Sequence, residues 1–270
     1  MNSLSIRRAM LNRRMLICIF TGFASGMPLY VLISLVPAWL RTEGVGLKEI
    51  GFFALIGLPY IWKFVWSPLL DRYSFSLFTY KPGLRRSWML STQVLLLVTI
   101  GTLGFLDPLT QLWPIAWLCL GIAFLSATQD IVLDAYRRQI LPDQELGLGN
   151  SIHVNAYRVG GLIPGSLSLV LSDFLPWETV FLITAAFVLA GIALTLSIKE
   201  PPRAHQQPTT LQAAIVEPFN EFFSRQGIQQ ALLMLAFMLL YKLGDSMATA
   251  LATPFYLDMG FSKTEIGIVA

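Results

Sequence analysis

Charge is scarce in this chain: of 270 residues only 13% are Asp, Glu, Lys or Arg, about half the share typical of a soluble domain. With 55% hydrophobic residues and a mean hydropathy of +0.63, that scarcity excludes an ordinary water-facing surface and points to lipid as the solvent. Cysteine is scarcer still. Cys18 and Cys119 fall in separate apolar runs, which excludes a disulfide framework and any thiolate cluster at metal-binding spacing. The two histidines, His153 and His205, lie in different segments with no carboxylate cluster beside either, so no metal site is expected. No GxxxxGK[S/T] phosphate loop, GxSxG elbow or HExxH pair occurs, so neither an ATP engine nor a hydrolytic centre is expected, and no cofactor. The net charge of +3 is small and dispersed, which argues against a nucleic-acid partner.

What the chain has in abundance is long apolar runs. The stretches 15–40, 50–70, 87–106, 112–133, 148–172, 179–198 and 229–257 are each long enough to cross roughly 30 Å of hydrocarbon as a helix, and an eighth starts near Glu265. The first follows Arg7, Arg8, Arg13 and Arg14 and is too long for a cleaved signal peptide. If the N-terminus is cytoplasmic, thirteen Lys and Arg fall on inside segments and three (Arg41, Lys48, Lys263) outside, which predicts an N-inside, multi-pass protein. Residues 199–228 form one long polar insertion after six spans. Within it Leu211, Ile215, Phe219, Phe222 and Phe223 recur at helical spacing, which predicts an interfacial amphipathic helix.

The expected organisation is therefore all-α: a six-helix bundle over 1–198, a cytoplasmic linker over 199–228, and the start of a second bundle over 229–270. Half a two-bundle carrier cannot rock against a missing partner, so the expectation is either a portion of a longer protein or a truncated product.

Between the second and third spans stand Trp66-Ser67-Pro68-Leu69-Leu70-Asp71-Arg72 and Gly83-Leu84-Arg85-Arg86. This resembles the loop motif of the major facilitator superfamily, with Ser67 where a glycine usually stands. The motif implies a charge latch in which Asp71 pairs with nearby arginines such as Arg85 and Arg86 and with a helix N-terminus, holding one gate arrangement. A narrower likeness covers nearly the whole chain: Gly22-Phe23-Ala24-Ser25-Gly26-Met27-Pro28-Leu29, Lys63-Phe64-Val65-Trp66-Ser67-Pro68, Ser126-Ala127-Thr128-Gln129-Asp130-Ile131-Val132-Leu133-Asp134-Ala135 and Tyr241-Lys242-Leu243-Gly244-Asp245 are similar to blocks of the muropeptide permease (AmpG) family. That resemblance implies a major facilitator fold and proton-driven import of anhydromuropeptides across the bacterial inner membrane, a step in peptidoglycan recycling. A eukaryotic branch that resembles acetyl-CoA transporters shares the Gln-Asp-Ile block and supplies an alternative cargo; a non-transporting remnant is the alternative of another class.

Six charges fall within spans: Lys63, Asp130, Asp134, Arg158, Lys242 and Asp245. An ion there is costly, so each is expected to be paired or functional. Asp130 and Asp134 are four residues apart on one helix face, where their ionised forms repel unless a cation intervenes, which is the situation a proton-coupling or gating site needs. Asp134 has a structural alternative in Arg138, one turn on. Lys242 and Asp245 sit at i, i+3 and either neutralise one another or contact substrate. Lys63 lies roughly 12 Å deeper than Asp71 at helical rise. Lys63 and Arg158 are candidate contacts for substrate carboxylates, with Asp130 as the alternative partner of either.

Trp62, and beside it Trp66, are candidates to stack on a sugar face, and Tyr60 joins them as a substrate-site residue. Trp39, Trp88, Trp113 and Trp177 are expected as interfacial belt residues. Gly22/Gly26 and Gly161/Gly165 have the spacing that lets helices approach closely. Pro28, Pro59 and Pro164 are expected to kink their helices and free backbone carbonyls.

Overall fold

The structure, a computed structural model, describes residues 12–73, 83–201, 220, 223–224 and 227–269, with the backbone alone at Arg72, Lys242, Leu243, Asp245, Ser246 and Ala250. The expected amphipathic helix within 199–228 falls almost wholly outside the described residues. Among the described residues the fold is entirely helical.

Eight rods follow one another. α1 runs Arg13–Thr42, α2 occupies residues 47–72, α3 runs Leu84–Leu103, and α4 runs Leu112–Ile140. α5 covers residues 146–171, α6 runs Trp177–Ser197, α7 Ile228–Asp258 and α8 Lys263–Val269. Three of them, α1, α4 and α6, are long and apolar enough to cross a membrane. The other expected spans are helical but take different forms. α2 alternates short α-helical and 3-10 pieces, with Pro59 and Pro68 each opening a new piece. α3 is continuous but carries Arg85, Ser87, Ser91, Thr92 and Gln93 on its buried side.

Prolines shape the two rods that pack most closely. In α1 the helix Arg13–Tyr30 contains Pro28 and passes directly into a π turn, Val31–Leu35. In α5 a second π turn, Ile163–Leu167, has Pro164 at its start, and the two π turns pack against each other. Below them glycine lets the backbones meet. A methyl on Gly22 would collide with the His153 carbonyl, on Gly26 with the Tyr157 carbonyl, and on Gly160 with the Phe23 carbonyl. The Gly22/Gly26 expectation is thus met by α5; Gly165, by contrast, has room for a methyl beside Ser34.

Around this pair, α4 and α6 pack on α1, α3 packs on both α4 and α6, and α2 lies on α4. Polar side chains bridge helices as they do in apolar surroundings: Thr195 Oγ1 donates to Gln93 Oε1 at 2.9 Å, and the hydroxyls of Ser168 and Thr184 are 2.7 Å apart. Successive rods run antiparallel, which gathers Arg14, Asp71, Arg85, Arg137 and Glu200 at one end, the basic end. At the opposite end Arg41 meets Asp258 of α7 at 2.6 Å, and Lys263 of α8 meets Asp173 at 3.3 Å. Trp39, expected in an interfacial belt, is instead buried there at 1% exposure, with Phe181 (5.0 Å) and Trp177 (6.5 Å) packed on its ring. Its indole is core because α6 crosses over it.

Candidate functional site

Midway along the bundle α1, α2 and α4 bring a set of polar groups together. Pro28 has no N–H, so the carbonyl of Ala24, four residues earlier, lacks its helical donor. Gln129 of α4 fills that place: its Nε2 donates to the Ala24 oxygen at 2.9 Å. The next residues on each helix also meet, with Ser25 Oγ donating to Asp130 Oδ1 at 2.5 Å. Lys63 of α2 and Asp134 lie within electrostatic reach of Asp130. The phenols of Tyr60 and Tyr157 are in its field as well, and the Tyr60 hydroxyl faces Ser126, one turn before Asp130. Asp130 is thus a mid-bundle carboxylate held by one hydroxyl, with the Lys63 ammonium and two phenols within electrostatic reach.

Asp134, one turn nearer the basic end, is exposed and pairs with Arg137 at 2.9 Å. The alternative partner considered from sequence, Arg138, is instead bound to Asp143 at 3.0 Å. The i+3 guanidinium folds back over the carboxylate, while the i+4 one is drawn off by the turn that follows α4. Arg158 is exposed on α5 and makes no ion pair among the described residues, so Asp130 is not its partner. Below it, Asp134, Arg137, Asn150, Ser151, Val154 and Asn155 line a groove of about 700 Å³ between α4 and α5.

Of the stacking candidates, Trp66 is committed: its Nε1 donates to Thr128 Oγ1 at 3.2 Å and its ring lies on Phe124 at 4.9 Å. Trp62 is 53% exposed and stacks on Phe64 at 6.1 Å. Lys242 and Asp245 lie on α7, and their side chains, like that of Arg72, are outside the described residues.

At the basic end the latch is partly as expected. Arg85, buried to 6% exposure, pairs with Asp71 at 2.6 Å. The helix N-terminus beside them is taken by a residue the sequence reading missed. Glu200, just past α6, accepts from the backbone N–H groups of Arg85 (2.8 Å) and Arg86 (3.1 Å), placing a full negative charge at the positive end of α3. Arg86 reaches back to the carbonyls of Thr195 (3.0 Å) and Leu196 (3.1 Å). Gly83 makes this corner with φ 116°, a conformation open to glycine. The signal for Glu200 was its place at the end of a span, yet nothing in a single chain pairs it with residues 115 positions away. Among the described residues no group of three or more His, Cys, Asp or Glu stands where a metal ion could be held.

Antiparallel apolar rods around a charged interior are the build of a polytopic membrane protein. Residues 18–270 match the Major Facilitator Superfamily, and the chain belongs to it. It is 45% identical, over 95% of its length, to the anhydromuropeptide permease of Escherichia coli K12, of which it covers 51%. It is 54% identical over 99% of its length to an uncharacterized protein of Haemophilus influenzae, covering 62% of that chain. A third relative, named putative transporter AmpG 4, from Rickettsia felis, is 33% identical over 92% of this chain, which covers 61% of it. The chain thus spans between about half and six-tenths of the length of the curated relatives it matches.

Proposed function

We propose that this chain supplies the first six-helix bundle, the linker and the opening helices of a secondary carrier that imports peptidoglycan-derived anhydromuropeptides across the inner membrane on the proton gradient. In this reading residues 1–198 are the bundle, 199–228 the cytoplasmic linker and 229–270 the start of the second bundle, with the N-terminus inside. The excess of Lys and Arg at the basic end supports that orientation.

The observation that carries the reading is the Ser25–Asp130 hydrogen bond between α1 and α4, with Lys63 of α2 within electrostatic reach of the same carboxylate. Asp130 is the proton carrier. When it is ionised it holds Ser25 and Lys63; when it is protonated the ammonium is released to meet a substrate carboxylate. Arg158, Trp62 and Tyr60, with Lys242 and Asp245 on α7, complete the substrate path, while Asp71, Arg72, Arg85, Arg86 and Asp134 govern the inner gate. A resemblance in which named relatives are permeases for such cargo supports the substrate class.

The test is accumulation of labelled anhydromuropeptide by cells that carry the gene. A protonophore should abolish accumulation, and Asp130→Asn should abolish accumulation while sparing exchange of internal for external label. Accumulation that survives both treatments would remove proton coupling, and transport of an acyl-CoA in place of the muropeptide would replace the cargo.

A further inference from the structure

A second recess lies at the basic end, apart from the polar interior. The start of α1, the end of α4 and the residues after α6 enclose a groove of about 580 Å³. Its rim carries Arg13, Arg14 and Lys199 with one acid, Glu200, and its wall includes Ile17, Tyr136, Gln139 and Ile140. The Tyr136 hydroxyl donates to the Lys199 carbonyl at 2.8 Å, which fixes the backbone that carries this lysine over the groove.

The acids at the groove, Glu200 in its lining and Glu145 beside Arg14, offset this charge only in part. Glu200 turns both oxygens to the amides of Arg85 and Arg86 at the start of α3. Glu145 meets Arg14 only at 3.4 Å, with both side chains part-exposed. Arg13 and Lys199 have no ion-pair partner among the described residues. The groove also sits at the amino end of α1, whose dipole favours an anion, while Asn12 Oδ1 accepts from the Arg14 amide at 3.3 Å. One further polar atom is left over: the buried Gln139 Oε1 accepts no hydrogen bond among the described residues. Beside the groove the surface of α1 turns apolar. Arg13, Ile17 and Phe20 share one face of α1 at i, i+4 and i+7, and Phe20 is 43% exposed.

We propose that this groove binds the phosphoglycerol headgroup of an anionic phospholipid. The cationic rim and the amino end of α1 take the phosphate, the Gln139 oxygen accepts from a glycerol hydroxyl, and an acyl chain descends past the exposed Phe20. Basic recesses between helices at headgroup height are suited to such lipids. Because α1, α4 and the exit of α6 all contribute, a bound lipid clamps the end of the bundle that carries the Asp71–Arg85 latch.

The experiment is thermal unfolding of the purified protein in a neutral detergent, with added phosphatidylglycerol, phosphatidylethanolamine or inorganic phosphate. Phosphatidylglycerol should raise the midpoint by several degrees, and the other two should leave it unchanged. The double variant Arg13→Gln/Lys199→Gln should lose that rise. Equal rises with both lipids, a rise with inorganic phosphate alone, or an undiminished rise in the double variant would each overturn the proposal. Should the variant start from a lowered midpoint, salt decides on the parent protein. About 0.5 M sodium chloride should shrink the phosphatidylglycerol effect, and an effect indifferent to salt would sink the idea.

Discussion

The Gln129 carboxamide replaces the backbone amide that Pro28 lacks, donating at 2.9 Å to the Ala24 carbonyl. One proline thus creates an acceptor on α1 and one glutamine on α4 consumes it, fixing the register in which Ser25 meets Asp130. Removing the donor should expose the debt. Gln129→Leu is expected to cost about 1 kcal/mol, the lower end of the range because a membrane-embedded unfolded chain finds other partners. Pro28→Ala returns an amide to position 28, so in that background Gln129→Leu should cost measurably less. Thermal midpoints of the four proteins form the cycle, and strict additivity would contradict the substitution of one donor for the other.

The α1–α5 contact makes a sharper steric prediction. A methyl at Gly26 meets the Tyr157 carbonyl, which belongs to backbone and cannot turn aside, whereas Gly121, in the middle of α4, has nothing within 4 Å of an added methyl. Gly26→Ala should therefore destabilise by about 1–3 kcal/mol through displaced helices. Gly121→Ala should be neutral or slightly stabilising because it only removes helix-interior glycine. Detergent-extracted yield and thermal midpoint would separate the two variants.

At the basic end the asymmetry of the Asp71–Arg85 pair decides which partner matters. The arginine side chain is 7% exposed and the aspartate side chain 44%. Asp71→Ala leaves a cation buried without its carboxylate and should cost about 1–3 kcal/mol, below the value for a fully buried pair because Asp71 is half in solvent. Arg85→Met removes the buried charge and keeps the length, so it should be the milder change in stability while still disturbing the gate in an uptake assay. If Arg85→Met proved the more destabilising, the guanidinium would be acting through packing rather than charge.

Much of this site was legible in the chain because rare events in an apolar sequence stand out. Asp130, Lys63 and Arg158 were found as charges in spans, Gly22 and Gly26 as a spacing, and Asp71 with Arg85 as a motif. What could not be read was each charge's partner. Ser25 looks like any small residue among Gly22, Ala24 and Gly26, and only the approach of α4 turns it into a donor. Glu200 caps a helix that begins far earlier in the chain, and that contact depends on where α6 ends. The choice of Arg137 over Arg138 by Asp134 depends on the turn after α4, because Asp143 competes for the second arginine. Trp39 sits at a span end, as belt residues do, yet α6 covers it. Prolines announced irregularity in α1 and α5, but that both rods relax into π turns at one level follows from their mutual packing.

Acid should loosen the junction of α5 with α8. Asp173, in the turn that follows α5, accepts from the Thr264 amide at 2.8 Å, from its hydroxyl at 2.7 Å, and faces Lys263 at 3.3 Å. Partial burial alone would raise its pKa, but the hydrogen bonds from Thr264 and the Lys263 ammonium outweigh it and hold the carboxyl below the ordinary aspartate value of 3.8. A carboxyl with a depressed folded pKa contributes stability that is complete above its unfolded value and disappears as pH falls through the folded one. The contribution should therefore be whole at neutral pH and fade below about pH 4. Asp173→Asn should lower the thermal midpoint at pH 6, while the gap between parent and variant narrows on acidification towards pH 3. A gap that stayed constant across that range would assign the contact between α5 and α8 to packing of Ile266 and Gly267, with Asp173 contributing nothing through its charge.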